Sequence, residues 1–464
     1  SSAPGTTPSA RIRSWGTATP GLSFWKWLSL SKPLEGFSGA LPTATIGKTS
    51  VKLGGAVNLP NGTYTVQGTA IGVGAKVYVA KPLTIAVKGN TNIKVSYEKL
   101  PPGAPDPLFG AGGQRKTAIT GLPVFDHWYV MSSGSDLPVI TSAGTSGNNR
   151  QQLVGLTGTA LGPATPVQLR DGLVWRNPTP LIKDGNGYLA GVSDVFGTVV
   201  RYDRTGKQDS SWKTTPSLGP YVRGLLRLPD GGLLAYGGQT SPEVWKLSAN
   251  GAADAKFGEG GRLSLAAVDP TLDNNGYVKT ARIMSDGRVR LAVIEGSLLS
   301  LIDLSIDGQP KLVAPALRLP FAATSLDPAA NIVIQANGSV YVLTADSNKY
   351  QTQLVRVTPS GGRDPAFKAP PASNALSMAG VTVQPDGKVV IAYRTPDSDS
   401  RIIRYLRTGE VDQAFGNKGI VQVKDLVYGV EMAADGKLYL VGAGVAEALV
   451  PSSAFLRITR LLAE

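Results

Sequence analysis

Along most of the chain, apolar residues alternate with polar ones in short runs, the period-two pattern of strands with one buried face. In "VTVQPDGKVVIAY" (residues 381–393) two such runs meet at Asp386-Gly387. Equivalent dipeptides stand at Asp184-Gly185, Asp230-Gly231, Asp286-Gly287, Asn337-Gly338 and Asp435-Gly436, with a degenerate one at Ser135-Asp136. Asp-Gly and Asn-Gly pairs reach the positive φ angles of two-residue hairpin turns at little steric cost. A further apolar strand and a second x-Gly turn follow each pair, as in "VWKLSANG", "LVRVTPSG" and "IIRYLRTG". Each unit therefore reads as a four-stranded antiparallel meander, and it recurs at roughly 46 to 56 residues.

A lone meander cannot bury both of its faces, so the units must stack or close into a ring, and radial closure leaves no long exposed edge. The pattern predicts an all-β fold: a seven-bladed β-propeller over residues 106–464, preceded by a small β-sandwich. The last unit stops after its third strand, while "DPLFGAGGQRKTAI" (residues 106–119) precedes the first unit without one of its own. Residues near Gln114 to Ile119 are expected to supply the missing outer strand of the last unit, removing the open edge. Residues 1–18 read as a Ser/Pro/Thr/Gly-rich tether, and residues 19–102 as the small domain. Tight hairpins are expected there at Asn61-Gly62 and at the Gly-Asn pair of residues 89–90. Trp25 and Trp27 share one side of a strand, where packing is the expected use. "PPGAPDP" (residues 101–107) forms a stiff boundary.

One sentence is written several times: "VDQAFGNKGIVQV" from residue 411, "ADAKFGEGGRLSL" from 253 and "PDPLFGAGGQRKTAI" from 105. Joined to the "PDGK" turn and the "RY…G…D" strand, it resembles the delta-60 repeat family, whose best copy here is residues 381–423. "DSSWKTTP" at Asp209 and "DPAFKAPP" at Asp364 lack the glycines. The resemblance implies a secreted or envelope-associated propeller, a fold far more than a function. The text "LPNGTYTV…LTIAVKGNTNIKVSYE" resembles immunoglobulin-like, PEGA-type modules, which implies a spacer. The recurring Asp (106, 254, 364, 412) is expected to cap a turn. The aromatic (Phe109, Phe257, Phe367, Phe415, with Trp212 as a variant) would plug the gap between blades, and the glycines would let the chain cross between them.

Charge adds a partner class. Lys and Arg number 46 against 33 Asp and Glu, a net charge of +13 that attracts polyanions. No dense basic run or nucleic-acid motif accompanies it. Arg201, Lys246, Arg356 and Arg404 occupy the same place before the second turn, Asp303 takes it in one unit, and Arg457 stands in the corresponding strand of the last. They are either a polyanion-binding row or cations paired with acids of their surroundings.

The inventory for catalysis is thin. The chain has no Cys and one His, His127, which excludes thiolate and multi-His metal centres and leaves any catalytic triad dependent on that residue. Carboxylates cluster only in Asp397 with Asp399 and in Asp269, Asp273, Asn274 and Asn275, neither matching a calcium loop. No catalytic residue, metal or cofactor is expected. The leading expectation is a non-enzymatic secreted or envelope protein, lipid-tethered upstream of Ser1, whose propeller binds an envelope protein or an acidic polysaccharide. The alternatives are a propeller hydrolase or lyase acting on polysaccharide or lactone, and a structural subunit of a cell-surface assembly.

Overall fold

The computed structural model describes residues 25–30, 42–88, 91–118, 128–130, 139–143, 150–154, 160–166, 181–185, 187–192, 198–203, 205, 207, 209–212, 218, 222–238, 241–272, 276–306, 310–313, 316–321, 331–346, 348–433, 435–444 and 455–464. The chain divides into two compact units: residues 1–73 with 78–99, and residues 74–77 with 100–464. Among the described residues the regular secondary structure is strand, apart from one helical turn at Leu265–Val268.

In the smaller unit, Thr49–Lys52, Thr43–Ile46, Gly62–Gly68 and Leu83–Val87 form one antiparallel sheet, in that order. A second places Trp25–Leu30 between Ala56–Asn58 and Thr91–Val95, the latter pairing parallel. Ala44, Ile46, Leu53, Val66, Ile93 and Val95 form the core. The alternating apolar residues thus make the expected strands, but the expected hairpins are sheet changes. The strands before and after Asn61-Gly62 belong to different sheets, as do those flanking residues 89–90. A turn dipeptide fixes a change of direction, not which neighbour the next strand pairs with. The side chains of Trp25 and Trp27 lie outside the described residues.

The larger unit is a succession of antiparallel sheets, numbered here along the chain. Sheet 1 holds Trp128–Val130, Val139–Ala143, Arg150–Val154 and Ala160–Pro166; sheet 2 holds Leu181–Asp184, Gly187–Val192 and Thr198–Tyr202. Sheet 3 follows with Val222–Arg227, Leu233–Gly237, Glu243–Leu247 and Arg262–Ser264. In sheet 4, Tyr277–Ile283, Val289–Glu295 and Leu298–Ser305 are completed by two short pieces, Lys311–Leu312 and Leu317–Pro320. Sheet 5 is Asn331–Ile334, Val340–Asp346, Gln351–Val357 and Ala372–Ser373; sheet 6 is Ser377–Val383, Val389–Arg394, Ser400–Tyr405 and Ile420–Val423. Within sheets 2 to 7 the first and second strands join at the predicted dipeptides, whose glycines (185, 231, 287, 338, 387 and 436) all have positive φ. Ser135-Asp136 lies outside the described residues.

Sheet 7 orders Asp425–Met432, Lys437–Gly444 and Phe455–Leu462, and its outer strand is Gln114–Ala118. That strand comes from the far end of the unit and runs antiparallel, Gln114 opposite Thr459 and Ala118 opposite Phe455. The first strands of sheets 2 to 7 pack on one another in succession, and that of sheet 1 packs on that of sheet 7. Each described core lies between neighbouring sheets. Phe415 of sheet 6 sits among Val427, Val430, Leu438, Leu440 and Leu461 of sheet 7, and Phe257 of sheet 3 among Val289, Leu291 and Val293 of sheet 4. The repeated aromatic thus fills the space between sheets, as expected. The glycine-bearing segment does something else: it links the third and fourth strands of one sheet rather than crossing between sheets. A Cβ at Gly416, Gly258 or Gly110 would stand 2.4, 2.1 or 1.9 Å from the carbonyl oxygen four residues on, so a tight loop requires these glycines.

Candidate functional site

The recurring cation is best seen at Arg404, on the third strand of sheet 6 and fully buried. Its Nε meets Oδ2 of Asp412 at 2.9 Å. The N–H of Asp412 donates back to the Arg404 carbonyl at 2.9 Å, the N–H of Ala414 donates to Oδ1 of Asp412 at 3.1 Å, and the Phe415 ring lies 4.6 Å from the guanidinium. In the other direction the guanidinium donates to the Ala463 carbonyl of sheet 7. One side chain thus joins its own loop to the neighbouring sheet.

The same parts recur. Arg356 meets Asp364 at 2.7 Å, lies 5.0 Å from Phe367 and donates to the Arg407 carbonyl of sheet 6 at 2.8 Å. Lys246 meets Asp254 at 3.4 Å and donates to the Ile306 carbonyl of sheet 4 at 3.4 Å. Arg201 meets Asp184 at 3.0 Å and Asp209 at 3.8 Å, with Trp212 at 5.6 Å. The accepting carbonyls keep one register: Ile306, Arg407 and Ala463 each stand three residues past the row positions 303, 404 and 460.

Residues 384–415 match a β-propeller family of unknown function, DUF5122. The matched stretch contains the joint built on Arg404, Asp412 and Phe415, and with the succession of sheets it makes the larger unit a β-propeller fold. No curated protein matches the chain. Three solved structures are similar to it. A quinoprotein alcohol dehydrogenase-like protein from Bacteroides thetaiotaomicron is 10% identical, with 86% of this chain and 93% of that one covered and a TM-score of 0.42. A proposed 6-phosphogluconolactonase from Bacteroides uniformis is 16% identical (65% and 86% covered, TM-score 0.42). A protein of unknown function from Bacteroides caccae is 12% identical (61% and 98% covered, TM-score 0.34).

In the last sheet the row position belongs to Arg460. Its Nε pairs with Asp106 at 2.9 Å, its guanidinium lies 4.6 Å from Phe109, and the N–H of Asp106 donates to its carbonyl at 2.9 Å. The joint that elsewhere spans eight residues here spans the two ends of the unit. Arg457, in the same strand, pairs instead with Asp425 at 3.1 Å. The cations singled out from sequence, Arg201, Lys246, Arg356, Arg404 and Arg457, therefore each face a carboxylate of the protein. In sheet 4 the row position is Asp303, and its partner Arg290 comes from the adjacent strand at 2.7 Å.

Electrostatics follow from this burial. Desolvation alone raises the Asp412 carboxyl, but the Ala414 N–H and the Arg404 and Lys388 cations outweigh it and hold it below the usual carboxylate range. Desolvation pushes the Arg404 guanidinium down against the pull of Asp412. Asp364 is held low first by the Ala366 N–H and then by Arg356.

A cleft of about 980 Å³ opens where the first strands of sheets 4 to 7 end at their turns. Arg282, Val333, Thr382 and Glu431 line it from those strands, Gln335, Asn337 and Gln384 from the turns, and Arg407 from the turn after the third strand of sheet 6. Arg407 lies across the turn at Gly387, where a Cβ would stand 2.6 Å from its Nε. Arg356 and Asp364, also in the lining, are paired with each other. Among the described residues, no side-chain ion pair or hydrogen bond engages Arg282 or Arg407, and Glu431 accepts from the backbone N–H of Met432 but has no cation partner. Glu431 is half-buried, and desolvation pushes its carboxyl up to about 7. Sequence reasoning missed all three. The available signal was the acid near the end of the first strand of sheet 7, in "YGVEM", a strand that otherwise carries charge only at Asp425.

The remaining candidates do not assemble. No group of three or more His, Asp or Glu suited to a metal occurs among the described residues. Asp269 accepts from Thr271 in a local turn, and Asp399 from Thr395. Asn374 donates to Asp397 at 3.4 Å. His127, Asp273, Asn274 and Asn275 lie outside the described residues.

Proposed function

We propose that the chain is a non-enzymatic secreted or envelope protein whose propeller, of seven blades, binds an acidic macromolecular partner. The small N-terminal unit serves as a spacer in this reading, and residues 1–18 as its tether. Sheets 1 to 7 supply the blades, with the outer strand of the last drawn from Gln114–Ala118. The single observation behind the binding role is the contrast between paired and unpaired cations. Among the described residues, a carboxylate answers each Arg or Lys of the row, and none answers Arg282 and Arg407, which are exposed in one cleft. Recognition of an anion is therefore assigned to the cleft rather than to Arg201, Lys246, Arg356, Arg404 and Arg457. The test is retention of the full chain on polygalacturonate against a neutral polysaccharide at rising salt. Retention on the acidic polymer alone, weakening steeply with salt, is expected; equal retention on both, or none, rejects the reading.

One observation favours the second reading, a hydrolase or lyase. A carboxyl titrating near 7 in a cleft is what a general acid needs. Chain-length analysis of the same polysaccharide after prolonged incubation separates the two, since binding alone leaves the polymer intact.

A further inference from the structure

We propose that the cleft between the first strands of sheets 4 to 7 is a subsite for a carboxylate-bearing sugar chain, held by Arg282 and Arg407 with Glu431 as a hydroxyl donor. This inference rests on the binding role proposed above and names its ligand and its residues.

Three features converge on that chemistry. First, Arg282 and Arg407 reach the cleft from different sheets, and no carboxylate among the described residues occupies either. Two separated guanidinium groups suit a ligand with repeated anionic groups, because each offers a planar pair of donors to a carboxylate. Second, the rest of the lining mixes apolar side chains such as Val333 and Met432 with amide and hydroxyl groups. Gln335 and Ser339, half-buried, and the exposed Asn337, all from sheet 5, place donors and acceptors along it for a ligand rich in hydroxyls, while Gln384 is buried and held by Ala463 and Arg404. Third, the aromatic ring in the lining, Tyr341, is buried behind Arg356 and edge-on to Phe367 at 5.5 Å, so the cleft offers no exposed platform for stacking a base. Single-stranded nucleic acid is bound largely by such platforms. A volume near 980 Å³ lies at the upper end of the range of ligand pockets, enough for a short oligomer.

Glu431 gives the site a pH sense. The charged groups facing it across the cleft are Arg282 from sheet 4, Arg356 paired with Asp364 from sheet 5, and Arg407 from sheet 6. Opposite it on the adjacent strand is Tyr439, whose hydroxyl is held by Asp435 and Arg460. Ionised, Glu431 repels a ligand carboxylate; protonated, it donates a hydrogen bond to one. Desolvation pushes its titration up to about 7, so affinity for an anion rises as pH falls from 8 to 6.

The experiment is isothermal titration of the full chain with tetragalacturonate, with maltotetraose as the neutral control and a single-stranded oligonucleotide as the competing polyanion. Titrations run at pH 6 and 8. Arg282→Glu and Arg407→Glu should each weaken tetragalacturonate by about tenfold or more, while Lys48→Glu, in the smaller unit, leaves it unchanged. Glu431→Gln should bind equally at both pH values. Melting temperatures confirm folding of each variant. Binding of tetragalacturonate that ignores Arg282→Glu and Arg407→Glu overturns this site while leaving the binding role standing. Failure of the oligomer together with retention of polygalacturonate also overturns the site, and failure of both overturns the role itself. Tighter binding of the oligonucleotide overturns the ligand class.

Discussion

Sheets 6 and 4 solve one problem with opposite wiring. In sheet 6 the row position is Arg404 and the acid is Asp412 from the loop that follows. In sheet 4 the row position is Asp303, the cation Arg290 comes from the neighbouring strand, and Val313 stands where the loop acid would be, its N–H still donating to the Asp303 carbonyl at 2.9 Å. Both guanidiniums are buried, and both reach on to a carbonyl of the next sheet, Ala463 and Gly338 respectively. Even the auxiliary cations match: Lys388 lies 3.3 Å from Asp412, and Arg288 lies 3.2 Å from Asp303. The repeat therefore preserves a physical arrangement, a buried guanidinium shared between its own sheet's carboxylate and the next sheet's backbone, rather than a residue at a position. A buried charge left without its partner is costly, which explains why the acid and the base exchange places together.

Substitutions separate the two wirings. The largest effect is expected from replacing Gln114–Ala118 with a Gly-Ser linker. That opens the edge of Phe455–Leu462 and leaves sheet 7 incomplete, and a loss on the order of 5 kcal/mol or aggregation should follow in denaturant titration. Arg404→Leu and Arg290→Leu come next, each at about 3–5 kcal/mol because a buried carboxylate is orphaned. Arg404→Leu should be the worse of the two by about 1 kcal/mol, since Arg290 has no counterpart of the Phe415 contact. A loss confined to Arg404 would break the equivalence of the two sheets. Gly416→Ala should cost about 1–3 kcal/mol through strain at φ 56° and the clash with the Ile420 carbonyl, an effect sheet 4 escapes for want of that loop.

The smallest effect belongs to the cleft. The Glu431 carboxyl is raised from its ordinary 4.5 to about 7, so the folded chain holds a proton there that the unfolded chain has released. Stability contributed by the neutral form is complete below about pH 4.5 and is lost as pH rises through about 7. Glu431→Gln should therefore gain on the order of 1–2 kcal/mol at pH 8, after discount for partial exposure, and nothing at pH 4. Chemical denaturation at the two pH values measures it.

Much of the scaffold is written in local patterns. Six Asp-Gly or Asn-Gly turns fall where the alternation puts them, because a two-residue hairpin has few solutions and glycine meets them. The outer strand of sheet 7 was legible by counting, since the last unit holds three strands and residues 106–119 precede the first unit without one of their own. Partner choice was less legible. Asn61-Gly62 has every local mark of a hairpin, yet its flanking strands join different sheets. The last-row cation shows the same limit. "FLRITRLL" offers both Arg457 and Arg460, and only the register against Tyr439 and the arrival of Asp106 from the distant end select Arg460. The cleft escaped sequence reasoning for a related reason: Arg282, Arg407 and Glu431 come from three sheets and share no spacing.

The completion of the last sheet by a strand from the beginning of the same unit can be probed by a cross-link. The chain has no cysteine, so a pair introduced as Gln114→Cys with Thr459→Cys reports on that contact alone. The two side chains face each other at 3.1 Å across the closing register. The account predicts an intramolecular disulfide in the folded monomer under mild oxidation, with a raised unfolding midpoint that reduction reverses. Two free thiols in a folded monomer, or cross-linking between molecules only, would contradict it.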